Sequence, residues 1–287
     1  MKHFTRFLSL FFAAAMLLTM AACGSKNTDP DTDTKTGSEK KQLVVATSPD
    51  FPPFESLDGS DIVGIEPKLM QAIADKLGME LVWEQVDFDS IIPGIQAGRY
   101  DAGVAGISIT ADRLKNCDFS DPYFLANQVI VVNPGSDIQS KADLAGKTIA
   151  VQTGTTAETY LEKNNPEIKL QKYDAYAEAK TAFENGNGVA WANDNTEVIA
   201  FSIENPGCVV GIPSLGSADT IAPAVTKGNT TLLNWLNDEI KALGNENFFH
   251  ADYEATLLDT YGKDYEDTLV VAVSYTHLRA HETRHDL

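Results

Sequence analysis

The stretch AGISITADR, Ala105–Arg113, ends an apolar run in small residues and hydroxyls and then places one arginine. On an extended strand Gly106, Ser108 and Thr110 fall on one side, and a glycine lets a ligand approach the backbone closely. Thr110 is placed to cap a following helix, with Arg113 in its first turn, where free amide groups and the helix dipole favour an anion. A guanidinium fork binds a carboxylate through two parallel hydrogen bonds. The competing use of Arg113 is a surface ion pair with Asp112 or Asp118.

Two more junctions repeat the pattern. VQTGTTAET, Val151–Thr159, runs from a strand through a glycine turn into a hydroxyl-rich helix start, where Thr155 and Thr156 can donate to the same anion. WANDNTE, Trp191–Glu197, ends a strand at Asp194. Asp194 with Glu197 three residues on has the spacing of a capping box, yet the carboxyl end of a strand is also where ligands bind in open α/β sheets. An acid for an ammonium, set against a cation for a carboxylate, describes a site for a free α-amino acid.

The elements that carry these junctions alternate between short β-rich runs and helical patterns from Gln42 onward, the signature of an α/β chain with largely parallel sheets. LVVATS reads as a strand. PKLMQAIADKLG reads as an amphipathic helix with Pro67 in its first turn and Gly78 as its stop. ELVWEQV is a strand, DSIIPGIQAGR a helix capped by Asp89, and YDAGVAGISI again a strand. The pattern restarts after VIVVN, Val129–Asn133, with KTIAVQ and GVAWAN as strands and TTAETYLEKN, AEAKTAFENG and NTEVIAFSIEN as helices. ADTIAPAV returns the chain, and TTLLNWLNDEIKALG and ADYEATLLDTYG close it with helices.

At 287 residues and 43% hydrophobic content the chain can build two packed units. Lys2 and Arg6 precede an apolar run from Phe7 to Ala22 that is short for a permanent membrane anchor and reads as an export signal. It ends in LTMAACGS, which resembles a bacterial lipobox and would make Cys23 an acylated N-terminus. Gly24 to Lys41 is too polar to bury a core and reads as a flexible tether. Within it DPDTDT imitates the start of a calcium loop, but position 6 is Thr34 and position 12 is Lys40. The formal charge is -19, and nearer -21 once Lys2 and Arg6 leave with the signal. Such a surface repels nucleic acid. Cys117 and Cys208 both sit in apolar settings and are expected as buried, unbridged thiols. SYTHLRAHETRHDL, Ser274–Leu287, spaces His277, His281 and His285 like a metal face, but it is similar to translated sequencing-adapter read-through and is set aside; no metal or cofactor is expected.

Taken together, VATSPDFPPFE, IADKLG, VDFDSIIPGIQAGRYDAGVAGISITADR, DFSDPYF, DLAGKTIAVQTGTT and the Asp194 segment resemble the family 3 solute-binding proteins of polar amino-acid ABC transporters, over roughly Leu43 to Val270. The resemblance implies a type II periplasmic-binding-protein fold: two lobes, each a mainly parallel sheet flanked by helices, joined by two hinge strands and closing on the ligand. It implies a carboxylate clamp of Arg113 and Ser108 with Thr156, ammonium acceptors at Asp194 and the backbone around Gly106 and Ala105, aromatic walls from Phe51 and Phe88, and side-chain readout at Ser48 and Gln152. Gln152 and Asn193 would serve an amide or another polar side chain equally. The corresponding division is signal peptide 1–22, acylated Cys23 and tether 23–41, first lobe 42–131, second lobe 132–222, return to the first lobe 223–273, and tail 274–287. The expected partners are a polar amino acid and a permease with its ATPase, the expected state a monomer, and the expected place the outer face of the cell membrane, held by lipid alone. The rival readings are a sensor subunit and a dehydratase-like enzyme, the latter short of a general acid because His250 is the one histidine between leader and tail.

Overall fold

The first sheet grows from β1 (Gln42–Thr47), whose alternating valines and leucine are buried on one side. A computed structural model describes residues 41–256, 258–263 and 266, all within one compact unit, Lys40–Leu287. Cys23, the tether, the calcium-like DPDTDT stretch and the histidine tail lie outside the described residues. After β1 come a small antiparallel sheet, β2 (Asp50–Phe51), β3 (Glu55–Asp58) and β4 (Asp61–Val63), then α1 (Ile65–Leu77), β5 (Glu80–Gln85), α2 (Phe88–Gln96), β6 (Ala102–Gly103), β7 (Cys117–Phe119) and β8 (Phe124–Ala126). The second unit holds β9 (Gln128–Val132), β10 (Thr148–Gln152), α3 (Thr156–Asn164), β11 (Lys169–Tyr173), α4 (Tyr176–Glu184), β12 (Ala190–Asp194), α5 (Asn195–Glu204) and β13 (Val209–Ile212). The chain returns through β14 (Asp219–Ile221) and β15 (Ala224–Thr226) to α6 (Thr230–Asn245), α7 (Phe248–Thr256) and α8 (Leu258–Tyr261).

Two five-stranded sheets result, ordered β5-β1-β6-β15-β7 and β11-β10-β12-β9-β13. In each, three strands pair in parallel and two continue antiparallel. Between them β8 and β14 pair antiparallel, Phe124 opposite Ile221 and Ala126 opposite Asp219, so both connections run side by side. This is the two-lobed type II architecture with its two hinge strands.

Several elements depart from the sequence reading. YDAGVAGISI is not one strand: only Ala102 and Gly103 pair in the sheet, Gly106 turns the chain at φ +57°, and Ser108 makes a lone bridge to Ile221. α2 starts at Phe88 with Asp87 at its cap position, so Asp89 lies inside the first turn rather than at the cap. The edge strand β11, KLQKY, went unread because it pairs on one side only and its lysines are exposed, which leaves no apolar alternation to see. Cys208 is half-exposed rather than buried, whereas burial pushes the Cys117 thiol up to about 11.

The cores of both sheets meet through aromatic rings. Phe51 stacks on Phe54 at 5.5 Å and meets Tyr176 edge-on at 5.5 Å, and Tyr176 continues to Trp191 and Phe201. α1 contributes Leu69, Met70 and Ile73 to this core from one helical face, and α6 packs beside it. Leu69→Ala is expected to cost about 3 kcal/mol of unfolding free energy by leaving a cavity, read by denaturant titration, while the folded fraction keeps its ligand affinity.

Candidate functional site

The carboxyl ends of β1, β10 and β12 point to one cleft. All eleven residues singled out in the sequence line it: Ser48, Phe51, Phe88, Ala105, Gly106, Ser108, Arg113, Gln152, Thr155, Thr156 and Asp194. Asn193 lines it too, as do two acids that the sequence pattern does not single out, Asp50 and Glu55. The missed signal was register: β2 and β3 form a tight antiparallel pair in which Glu55 lies directly opposite Phe51, so a reader who places Phe51 at the site places Glu55 there as well.

Arg113 is not on an α-helix. It opens a single 3₁₀ turn, Arg113–Lys115, too short for a dipole to matter, although the Thr110 hydroxyl still accepts from its backbone amide at 3.2 Å. The surface ion-pair reading fails as well, because Asp112 pairs with Lys115 and Asp118 with Lys227. The guanidinium instead turns inward. Nη1 donates to the Ser108 carbonyl at 2.7 Å, Nη2 donates to the Gly154 carbonyl of the other sheet at 2.9 Å, and the group lies 5.4 Å from the centre of the Phe88 ring. Two of its five N–H donors are thus engaged, and the residue lines the cleft. Gly154, at φ +79°, permits the approach: a Cβ there would lie 2.9 Å from the Cβ of Asp89 across the cleft.

Across from Arg113, Asp194 occupies the cap position of α5 but makes no cap hydrogen bond, so the capping-box reading is overturned. Its carboxylate is buried and accepts from the Gln128 side chain. Burial, with help from Asp219, pushes it up to about 7, against the pull of Gln128 and Arg113. Thr155 caps α3 by accepting from the Glu158 amide, and its hydroxyl donates to the Gln152 carbonyl at 2.8 Å. The first-turn amides of α3 beside it have no acceptor within the helix. Burial pushes the Asp219 carboxyl above its usual range, against the pull of Arg113 and Thr156. Gln152 donates to the Asp174 carbonyl at 3.2 Å, and Ser48 donates to Asp50 at 3.2 Å.

The sequence from residue 43 to 254 matches the family model of bacterial extracellular solute-binding proteins, family 3. The chain belongs to this family. Among its relatives, the glutamine-binding protein GlnH of Bacillus subtilis is 31% identical over 268 residues, 88% of this chain and 96% of that one. The arginine-binding extracellular protein ArtP of the same organism is 37% identical over 169 residues, 59% of this chain and 64% of the relative. A solved cysteine-binding protein from Campylobacter jejuni aligns with a TM-score of 0.76 at 32% identity, covering 80% of this chain and 94% of that chain. Members of family 3 capture amino acids outside the cytoplasm for ABC importers, and this solute-binding protein shares that role. Among its described residues no helix is long and apolar enough to cross a membrane.

In this solute-binding protein the burial of Asp194 has a thermodynamic sign. Its folded pKa lies above the unfolded one, so its contribution to stability is full below about pH 4 and is lost as pH rises through about 7. Asp194→Asn is therefore expected to stabilise the ligand-free protein at pH 8 by on the order of 2 kcal/mol and to change little at pH 4, which urea unfolding at the two pH values reads directly.

Proposed function

We propose that the chain is the extracytoplasmic receptor of an amino-acid ABC importer, that it binds a polar L-amino acid by its α-carboxylate and α-ammonium groups between two closing lobes, and that it works as a lipid-anchored monomer. Arg113 with Ser108 and the α3 start at Thr155 and Thr156 hold the carboxylate. Asp194 and the backbone at Ala105 and Gly106 hold the ammonium, with Phe51 and Phe88 as walls and Ser48 and Gln152 near the side chain. The lobes divide near 131/132 and 222/223. Acylation of Cys23 keeps the receptor on the outer face of the membrane near its permease.

One observation carries the reading. The half-buried side chain of Arg113, just before β7, and the buried carboxylate of Asp194, at the end of β12, line the same cleft, each within the other's electrostatic reach. Charge-assisted hydrogen bonds contribute about 1.5 to 3 kcal/mol each, and micromolar affinity needs about 8 kcal/mol. A few such bonds suffice. The names of the relatives, which include arginine, histidine, glutamine and cysteine binders, support an amino acid and divide over its side chain. His250 is not among the residues lining the cleft, and its Nδ1 lies 2.9 Å from Glu266.

A thermal-shift screen against the twenty amino acids is expected to single out a ligand, since binding to the folded state alone raises its stability. Arg113→Ala is expected to weaken that ligand by about 100-fold or more in calorimetry with the fold retained; unaltered affinity would remove Arg113 from the clamp. Gly154→Ala, which sets a methyl against Asp89, is expected to weaken binding by hindering closure while leaving the open lobes intact, seen as reduced affinity without loss of far-UV signal.

A further inference from the structure

The carbonyl that meets Arg113 across the cleft belongs to Gly154, a residue whose backbone turns freely because it carries no Cβ. Something must hold that turn. Its amide donates at 2.6 Å to Oε2 of Glu158, in the first turn of α3. A glutamate at this place ordinarily closes a capping box by accepting from the amide of the cap residue itself, here Thr155. Glu158 reaches one residue further back, to Gly154, while its own amide still meets the Thr155 hydroxyl at 3.3 Å.

The other carboxyl oxygen, Oε1, pairs with Nζ of Lys172 at 2.7 Å. Lys172 lies on β11, and the carbonyl of the next residue of that strand, Tyr173, accepts the Thr153 amide at 2.8 Å. The turn at Thr153 and Gly154 is therefore tied twice to an edge strand, once through the backbone and once through an ion pair. Lys172 also meets Glu162 at 2.5 Å, and the bonds to Glu158 and Glu162 hold the ammonium above its usual pKa range. Glu158 is buried, whereas the Lys172 side chain is 43% exposed. Neither residue lines the cleft.

An ion pair with one exposed partner contributes little to stability by itself. What it fixes is direction. A carboxylate held at Oε1 by Lys172 keeps Oε2 aimed at the Gly154 amide, and with that amide held the Gly154 carbonyl faces Arg113. We propose that Glu158, held by Lys172 from the edge strand, is a positioning residue for the clamp, and that the pair sets how tightly an amino acid is bound without touching it. The proposal rests on the amino-acid reading above and adds to it two residues outside the lining of the cleft. The plainer use of Glu158 is to stabilise the start of α3. That use would lower the unfolding midpoint of a variant and leave the affinity of its folded form alone.

The test begins with Lys172→Met, which removes the ammonium and keeps an aliphatic stem. Affinity is read by calorimetry with the L-amino acid that gives the unmodified protein its largest thermal shift. Lys172→Met is expected to weaken binding about 10-fold, the worth of one charge-assisted bond, whereas Lys172→Arg stays within about two-fold of the unmodified protein. Glu162→Gln, which leaves the pair of Lys172 and Glu158 in place, is expected to leave affinity unaltered. Because Lys172 acts through Glu158, adding Lys172→Met to Glu158→Gln is expected to change affinity by less than about two-fold. The same hold shows without any amino acid: Lys172→Met is expected to speed hydrogen exchange at the Gly154 amide about 10-fold. Unaltered affinity in Lys172→Met, an equal loss in Glu162→Gln, or a full further loss when Lys172→Met is added to Glu158→Gln would each overturn the inference and leave the clamp at Arg113 standing. If Glu158→Gln does not fold, the contrast of Lys172→Met with Lys172→Arg and Glu162→Gln decides. Failure of every α-amino acid to bind would instead overturn the function proposed above, and unaltered Gly154 exchange in Lys172→Met would then overturn the positioning role separately.

Discussion

A cluster of acidic groups shut away from water is the constraint around which this molecule is built. Asp194, Glu55, Glu66 and Glu197 are all buried, and each is pushed toward holding its proton by that burial first and by its acidic neighbours or despite its donors second. No folding argument recommends such a cluster, because apolar residues of similar size would pack there at lower cost. A protein whose stability is only a few kcal/mol tolerates the cost where it is recovered by a ligand.

The fold supplies the geometry that makes recovery possible. Parallel strands deliver their carboxyl ends to one edge of each sheet, and two such edges face each other because β8 and β14 carry the chain between the sheets side by side. Residues distant in sequence, Arg113 and Gly154 or Phe51 and Tyr176, touch across that gap. Glycine is required at two passages beside the cleft: at Gly106 a Cβ would lie 2.8 Å from the Phe51 ring, and at Gly154 it would meet Asp89.

Much of the lining of the cleft was legible in the sequence, and what escaped did so for identifiable reasons. Arg113, Ser108, Thr156 and Asp194 follow or close apolar runs that end in hydroxyls or caps, a pattern visible in one dimension. Their local settings were less legible. The turn at Gly106 breaks a run that looks like a continuous strand, since nothing in apolar alternation records a positive φ. The cap at Asp194 dissolves because Gln128, sixty-six residues away, donates to that carboxylate and holds it away from its own helix. Glu55 was hidden for a similar reason: an acid after PPF reads as a solvent-facing hairpin residue until the pairing with Phe51 turns it inward. Edge strand β11 was hidden by exposed lysines. In each case the deciding contact is nonlocal, and short-range periodicity carries no trace of it.

Closure and binding are then one equilibrium. The contacts from Arg113 to the Gly154 carbonyl, from the Ala177 amide to Asp50 and from Phe51 to Tyr176 cross the cleft, so bringing its two sides together makes bonds of its own. Each is weak or partly exposed, and the charges enclosed by closing oppose it. A ligand that neutralises those charges removes the opposition and adds its own bonds, shifting the population toward the closed shape by its differential affinity. A ligand that neutralises fewer of them closes the lobes less completely for the same contact area. The selectivity of such a receptor thus resides in the electrostatic cost of shutting the cleft as much as in the fit of the side chain, and a transporter that recognises the closed shape inherits that selectivity without touching the ligand.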